Sequence, residues 1–192
     1  MSHGGRLVAL GGLLVLLVGI PQRAAANGDP ASDVLYSANV YLPYDPPSGS
    51  AERALKQAVD SVYARHFRVK VAVIAAQDDL GSVPSLWGHP TEYAKFLGVE
   101  LDSFYVGPLL IVMPSGFGIY DGGRSVVAEE RVRASASVRG GDPNSLTVTA
   151  ADVVMRLLRS GALRSKDIRP PFATPYSAAV RRGQIAPQVR RQ

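Results

Sequence analysis

Two short apolar runs set what this chain can fold into. Val69 to Ala76 is nearly all apolar and β-branched, broken only by Lys70, and Leu109 to Met113 is apolar throughout. Runs this short with no polar alternation suit strands covered on both faces, as in parallel sheets. Helical spacing lies between and around them. Ala51, Leu55, Ala58, Val59, Val62 and Tyr63 recur on one face over about 51–66, with Ser50 as N-cap and Glu52 in the first turn. A second helix opens at Pro90, runs through Tyr93, Phe96 and Leu97, and closes at Gly98.

The remaining punctuation completes a βαβ-type order. Val40 and Leu42 form a short first strand that Asp45-Pro46-Pro47 breaks, and Gln77 to His89 reads as a long loop. Ser115-Gly116 is a tight turn from which "GFGIYDGG" returns as a hairpin partner. In "RVRASASVR", Val132, Ala134, Ala136 and Val138 alternate with polar residues, which predicts a half-buried edge strand. Thr149 caps a last helix whose stripe is Ala150, Val153, Val154, Leu157 and Leu158, and Gly161 ends it. Alternating units of this kind predict an α/β domain, a mainly parallel sheet with helices on its faces and right-handed crossovers.

The two ends differ from this middle. Arg6, an apolar stretch from Leu7 to Ile20 and the small residues Ala24 to Ala26 form a secretory signal pattern, with the mature chain expected to start at Asn27. The 14 residues from Leu7 to Ile20 fall short of the roughly 20 that a spanning helix needs; an uncleaved N-terminal membrane anchor is the alternative. Residues 27–33, polar with glycine and proline, read as a flexible leader, 34–163 as the α/β domain, and 164–192 as a basic, proline-interrupted, disordered tail. The chain carries no cysteine, which excludes disulfides, thiolate chemistry and a thiolate zinc site. Charge is divided too: residues 27–163 hold 12 Lys and Arg against 15 Asp and Glu, while 164–192 hold 7 against 1. The tail arginines Arg181, Arg182, Arg190 and Arg191 could hold an anionic envelope surface. Nucleic acid is not expected as a partner, since the domain itself is acidic and the arginine pairs lack interleaved aromatics.

Several stretches together resemble the TPM-domain family of exported bacterial and thylakoid-lumen proteins. They are "RALKQAVDSVYARHFRVKVAVIAA", "EYAKFLG" and "GPLLIVMPSGFGIYDGG"; "VYLPYDPP" and "DLGSVPSLWGHPTEYAKFLG" are similar to an exported actinobacterial-type group on the same fold. The resemblance implies a three-layer α/β/α, Rossmann-like domain with a mainly parallel mixed sheet, sometimes associated with phosphatase activity. The chain departs from the family where acids are usual: Ser37 and Asn39 stand in the first strand region, and Tyr105-Val106 precede Gly107.

The candidate chemistry gathers where open α/β sheets place ligands, past the carboxyl ends of the strands. Asp78 and Asp79 follow the first buried strand, Ser115 follows the second, and Asp121 follows the hairpin. Asp78, Asp79 and Asp121 would offer hard oxygen ligands to Ca2+ or Mg2+, with Ser115, Tyr120 and Trp87 lining a cleft. Against this, aspartates at strand ends commonly cap turns, and Trp87 can plug the core. His66 and His89 are explained locally, at a helix end and before a proline, and "MPSGFG" lacks the glycine that a nucleophile elbow needs before its serine. Two functions follow: a non-enzymatic binding or assembly module of the cell envelope, or a divalent-metal-dependent phosphatase-like hydrolase.

Overall fold

Strands β2 (Lys70–Val73) and β3 (Leu109–Met113) are buried at every position and pair in parallel, with Val71 opposite Leu110 and Val73 opposite Val112. The two-residue β1 (Val40–Tyr41) runs parallel to β2, and β4 (Gly116–Tyr120) folds back antiparallel on β3, so the order is β1-β2-β3-β4. The structure, a computed structural model, describes residues 28–122 and 127–163. Within them the fold is mixed α/β with a mostly parallel sheet. The signal pattern, Asn27 and the tail with Arg181, Arg182, Arg190 and Arg191 lie outside the described residues.

Because side chains alternate across a strand, the sheet feeds two apolar clusters. Val71, Val73, Leu110 and Val112 join Leu55, Val59 and Val62 of α2 (Gly49–Tyr63) and Leu146, Val153 and Leu157 of α5 (Pro143–Ser160). Ala72, Ile74, Ile111 and Met113 point the other way. They meet Leu35 of α1 (Pro30–Ser37) and Tyr93, Ala94 and Leu97 of α3 (Pro90–Glu100).

Helix α1 replaces most of the expected leader. Asp29 caps it by accepting from the Ala31 amide at 3.2 Å, Pro30 occupies its first turn, and Ala31 and Leu35, four apart, are fully buried. Its far end is held by Lys70, the lone polar residue of the first apolar run. The Lys70 ammonium donates to the carbonyls of Leu35, at 2.6 Å, and of Ala38, and lies 5.3 Å from the centroid of the Tyr105 ring. A carboxylate at the N-terminus and a cation at the C-terminus both match the helix dipole.

Other expectations shift or fail. The cap of α2 is Ser48, whose hydroxyl accepts from the Ala51 amide, instead of Ser50. The expected strand around Val132 is α4 (Val127–Ser135), a stretch rich in the helix formers Ala, Glu and Arg, with a Glu130–Arg133 pair one turn apart. Helix α5 starts at Pro143 under an Asp142 cap; Thr149 sits inside it, its hydroxyl donating to the Ser145 carbonyl. The expected loop after β2 holds two short 3-10 turns, Gln77–Leu80 and Pro84–Leu86. Gly98 does not end α3: a Cβ there would overlap the Tyr120 ring, and one at Gly118 would strike the Pro90 backbone, so these glycines let α3 lie close on β4.

Candidate functional site at the carboxyl end of the sheet

Where β2 runs out, the chain turns so that Asp79 folds back under its own strand end. Its Oδ2 accepts from the amides of Ala75, at 2.8 Å, and Ala76, at 2.9 Å, and its Oδ1 accepts from the Tyr44 amide at 2.8 Å. The Asp79 carbonyl also accepts from the Tyr41 hydroxyl, at 3.2 Å. Asp79 is 1% exposed, whereas Asp78 beside it faces solvent. The adjacent aspartates therefore divide. One ties three backbone segments together, and the other is a surface residue.

A second buried carboxylate stands beside this clasp. Asp29, 4% exposed, accepts through Oδ1 from the Tyr93 hydroxyl at 2.7 Å as well as from the Ala31 amide. Desolvation raises its pKa from the ordinary aspartate value against the lowering effect of those bonds, and Asp33 adds a like charge. The hydroxyls of Tyr93 and Tyr41 are likewise pushed up, first by burial and then by the charges of Asp29 and Asp79. Sequence reading passed over Asp29, Tyr41 and Tyr93. The available signal was the Asp29-Pro30 pair, a cap followed by a first-turn proline.

The remaining candidates do not converge on Asp78 and Asp79. Ser115 is exposed in the β3–β4 turn, at the same end of the sheet. Tyr120 pairs with Leu109, so it and Asp121 lie at the opposite end of β3, about 13 Å or more away at a strand rise of ~3.3 Å per residue. Asp121 there contributes to the high pKa of the buried Tyr105 hydroxyl, behind desolvation and Tyr63. The expected three-aspartate ion site is thus split between the two ends of the sheet. Tyr120 packs on α3, and Trp87 is half-buried against the α1 and α3 cluster. Among the described residues, no group of three or more His, Cys, Asp or Glu is placed to hold a metal ion. His66 is exposed and leaves α2 with φ 60°, a left-handed exit.

Two surface features stand apart from the clasp. An open groove of about 490 Å³ runs beside α5, lined by Ser135, Arg139, Asn144, Val148 and Arg156 among others. At the opposite end from the clasp, Tyr36 of α1 and Phe104 expose their rings in an edge-on contact with centroids 4.4 Å apart.

No family model matches the chain, and no curated protein matches it. Among solved structures it is similar to the N-terminal domain of the cg2496 protein from Corynebacterium glutamicum, determined by solution NMR. The two share 18% identity at a TM-score of 0.44, over 70% of this chain and 85% of that one.

Proposed function

We propose that this protein is an exported, non-enzymatic binding and assembly module of the cell envelope, on a three-layer α/β/α Rossmann-like fold of the TPM-domain kind. Export is supported by the pattern from Arg6 to Ala26, with cleavage before Asn27. The layered reading is supported by the two apolar clusters, one under α2 and α5 and the other under α1 and α3.

The observation that carries the non-enzymatic reading is the commitment of Asp79. A metal-dependent hydrolase needs carboxylates that converge on an ion and a base that activates water. Here both Asp79 oxygens accept backbone amides, and Asp121 stands at the other end of the sheet. The surfaces that remain for partners are the groove beside α5 and the exposed Tyr36–Phe104 pair, with Arg181, Arg182, Arg190 and Arg191 serving an anionic envelope surface.

A turnover assay tests this. The protein, incubated with p-nitrophenyl phosphate and millimolar Mg2+ or Ca2+, is expected to release nitrophenol no faster than buffer. Metal-dependent turnover that Asp78→Asn abolishes would overturn the reading and establish the hydrolase.

A further inference from the structure

Asp29 is a buried carboxyl with one oxygen satisfied and the other not. Its Oδ1 accepts from the Tyr93 hydroxyl and the Ala31 amide, while its Oδ2 is buried and has no hydrogen-bond partner among the described residues. The groups that face it bring no positive charge: Tyr93 from α3, Tyr41 from β1 and Asp33 from its own helix, with Asp79 of the turn after β2 acting on the same two tyrosines. No Lys, Arg or His forms an ion pair with Asp29 among the described residues. An ionised oxygen buried without a donor or a counter-charge is costly, and a carboxyl so placed favours its neutral form.

The surroundings tie that charge to the position of a helix. Gly81, just past the Gln77–Leu80 turn, has φ 52°, and a Cβ on it would come within 2.5 Å of Pro30 Cδ and 2.9 Å of the Gly28 carbonyl oxygen. The turn therefore presses on the backbone on both sides of Asp29, and rehydrating the carboxyl requires the start of α1 to lift. With only eight residues, α1 takes its stability from such contacts and has little of its own to resist lifting.

We propose that Asp29 makes α1 a proton-dependent latch: with the carboxyl protonated the helix seats fully on the sheet, and loss of the proton to solvent loosens it while β2 and β3 stay paired. Oδ1 already accepts two donors, so the proton sits on Oδ2. Loosening uncovers the apolar cluster under α1, in which Ile74, Leu80, Tyr93 and Leu97 lie with Ala31 and Leu35.

The pH dependence has a definite sign. Desolvation, the largest influence, raises the Asp29 pKa; the Tyr93 and backbone hydrogen bonds lower it without cancelling the rise, and Asp33 adds to it. The folded protein thus holds this proton more tightly than the unfolded chain does. The stabilisation is complete below the ordinary aspartate value and is lost as pH rises through the raised one.

Two NMR measurements on the full chain test this: a 13C titration of the Asp29 carboxyl, and amide hydrogen exchange from about pH 3 to pH 7, a range that spans the ordinary aspartate value. The carboxyl is expected to titrate above that value. Between the two values opening releases one proton, so the protection of α1 amides such as that of Ala38 should fall by up to about tenfold per pH unit, and at every pH it should lie below that of the Val71 and Val73 amides in β2. Asp29→Asn keeps an oxygen for the Ala31 amide but has no proton to lose, and should remove the dependence. Should that variant fail to fold, Tyr93→Phe takes away a bond that favours the charged form, and should move the titration and the fall in protection together to higher pH. An Asp29 carboxyl that titrates at or below the ordinary value, as it would with a cation on Oδ2, would overturn the proposal. So would a fall in protection that persists in Asp29→Asn, or α1 amides that exchange only together with those of β2.

Discussion

Replacing Asp79 by Asn separates a backbone clasp from an ion ligand more cleanly than any other substitution. The Asn amide has one acceptor atom where Asp79 has two, and all of the amides that converge there are donors. If its oxygen serves Ala75 and Ala76, the NH2 faces the Tyr44 amide; if it serves Tyr44, two donors are left without an acceptor. Hydrogen bonds to a charged acceptor contribute about 1.5–3 kcal/mol each, and a buried donor left unpaired costs about 1–3 kcal/mol. Even the better orientation loses one such bond and weakens two, so a destabilisation of roughly 3–4 kcal/mol is expected, a large part of the ~5–15 kcal/mol available to a domain. Asp78→Asn, on the surface, should stay within about 0.5 kcal/mol of the parent. Urea denaturation in EDTA reads both, and faster hydrogen exchange at the Tyr44 amide should mark the first alone. A ligand pair behaves in the opposite way: either substitution relieves repulsion between neighbouring carboxylates and abolishes stabilisation by calcium. An Asp79→Asn midpoint equal to or above that of the parent without metal, or a calcium stabilisation that both variants lose, would refute the clasp.

Three further substitutions probe the frame around it. Lys70→Met leaves the Leu35 and Ala38 carbonyls without their donor and should cost about 2–4 kcal/mol, with α1 amides exchanging first; an unchanged melting curve would show that α1 does not depend on this ammonium. Gly118→Ala drives a methyl into the Pro90 backbone, which cannot swing aside, and should cost about 3 kcal/mol or more in urea. His66→Gly should raise stability by about 0.5–1 kcal/mol, because the left-handed exit costs a non-glycine residue roughly 1–2 kcal/mol, less the entropy that glycine loses; a lower midpoint would show that the imidazole makes a stabilising contact.

The legible part of the fold was what lies in short-range pattern. Two runs without polar alternation are β2 and β3, paired in parallel as expected, and the 3.6-residue spacing of Leu55, Ala58, Val59 and Val62 is the buried face of α2. Errors arose where weak local signals compete. Alanine and serine satisfy a period of two as easily as a period of 3.6, so Val132 to Val138 read as a strand although its neighbours are helix formers. The acidic pair was ambiguous for a different reason. An aspartate after a strand caps a turn or holds an ion with the same letter, and only the path of the chain decides it. That path turns Asp79 inward to amides 3, 4 and 35 residues away, and carries Asp121 to the other end of the sheet through the reversal at Gly116.

Helix α1 shows where sequence patterning stops. It has eight residues, too few to hold a helix alone in water, and its composition is that of a leader. It exists because Ala31 and Leu35 find the face of the sheet, Tyr93 reaches Asp29 from 64 positions away, and Lys70 reaches Leu35 from 35 positions away. None of these partners is visible within a window of the sequence. The consequence is mechanical: an element whose stability is borrowed from both ends of β2 responds to events at either end. At one of those ends Asp29 accepts from the Tyr93 hydroxyl and the Ala31 amide, and at the other Lys70 donates to the Leu35 and Ala38 carbonyls. Loss of the Lys70 ammonium at one end or of the Asp29 carboxyl at the other therefore acts on the docking of α1 as a whole, with Tyr93 next in the chain of contacts.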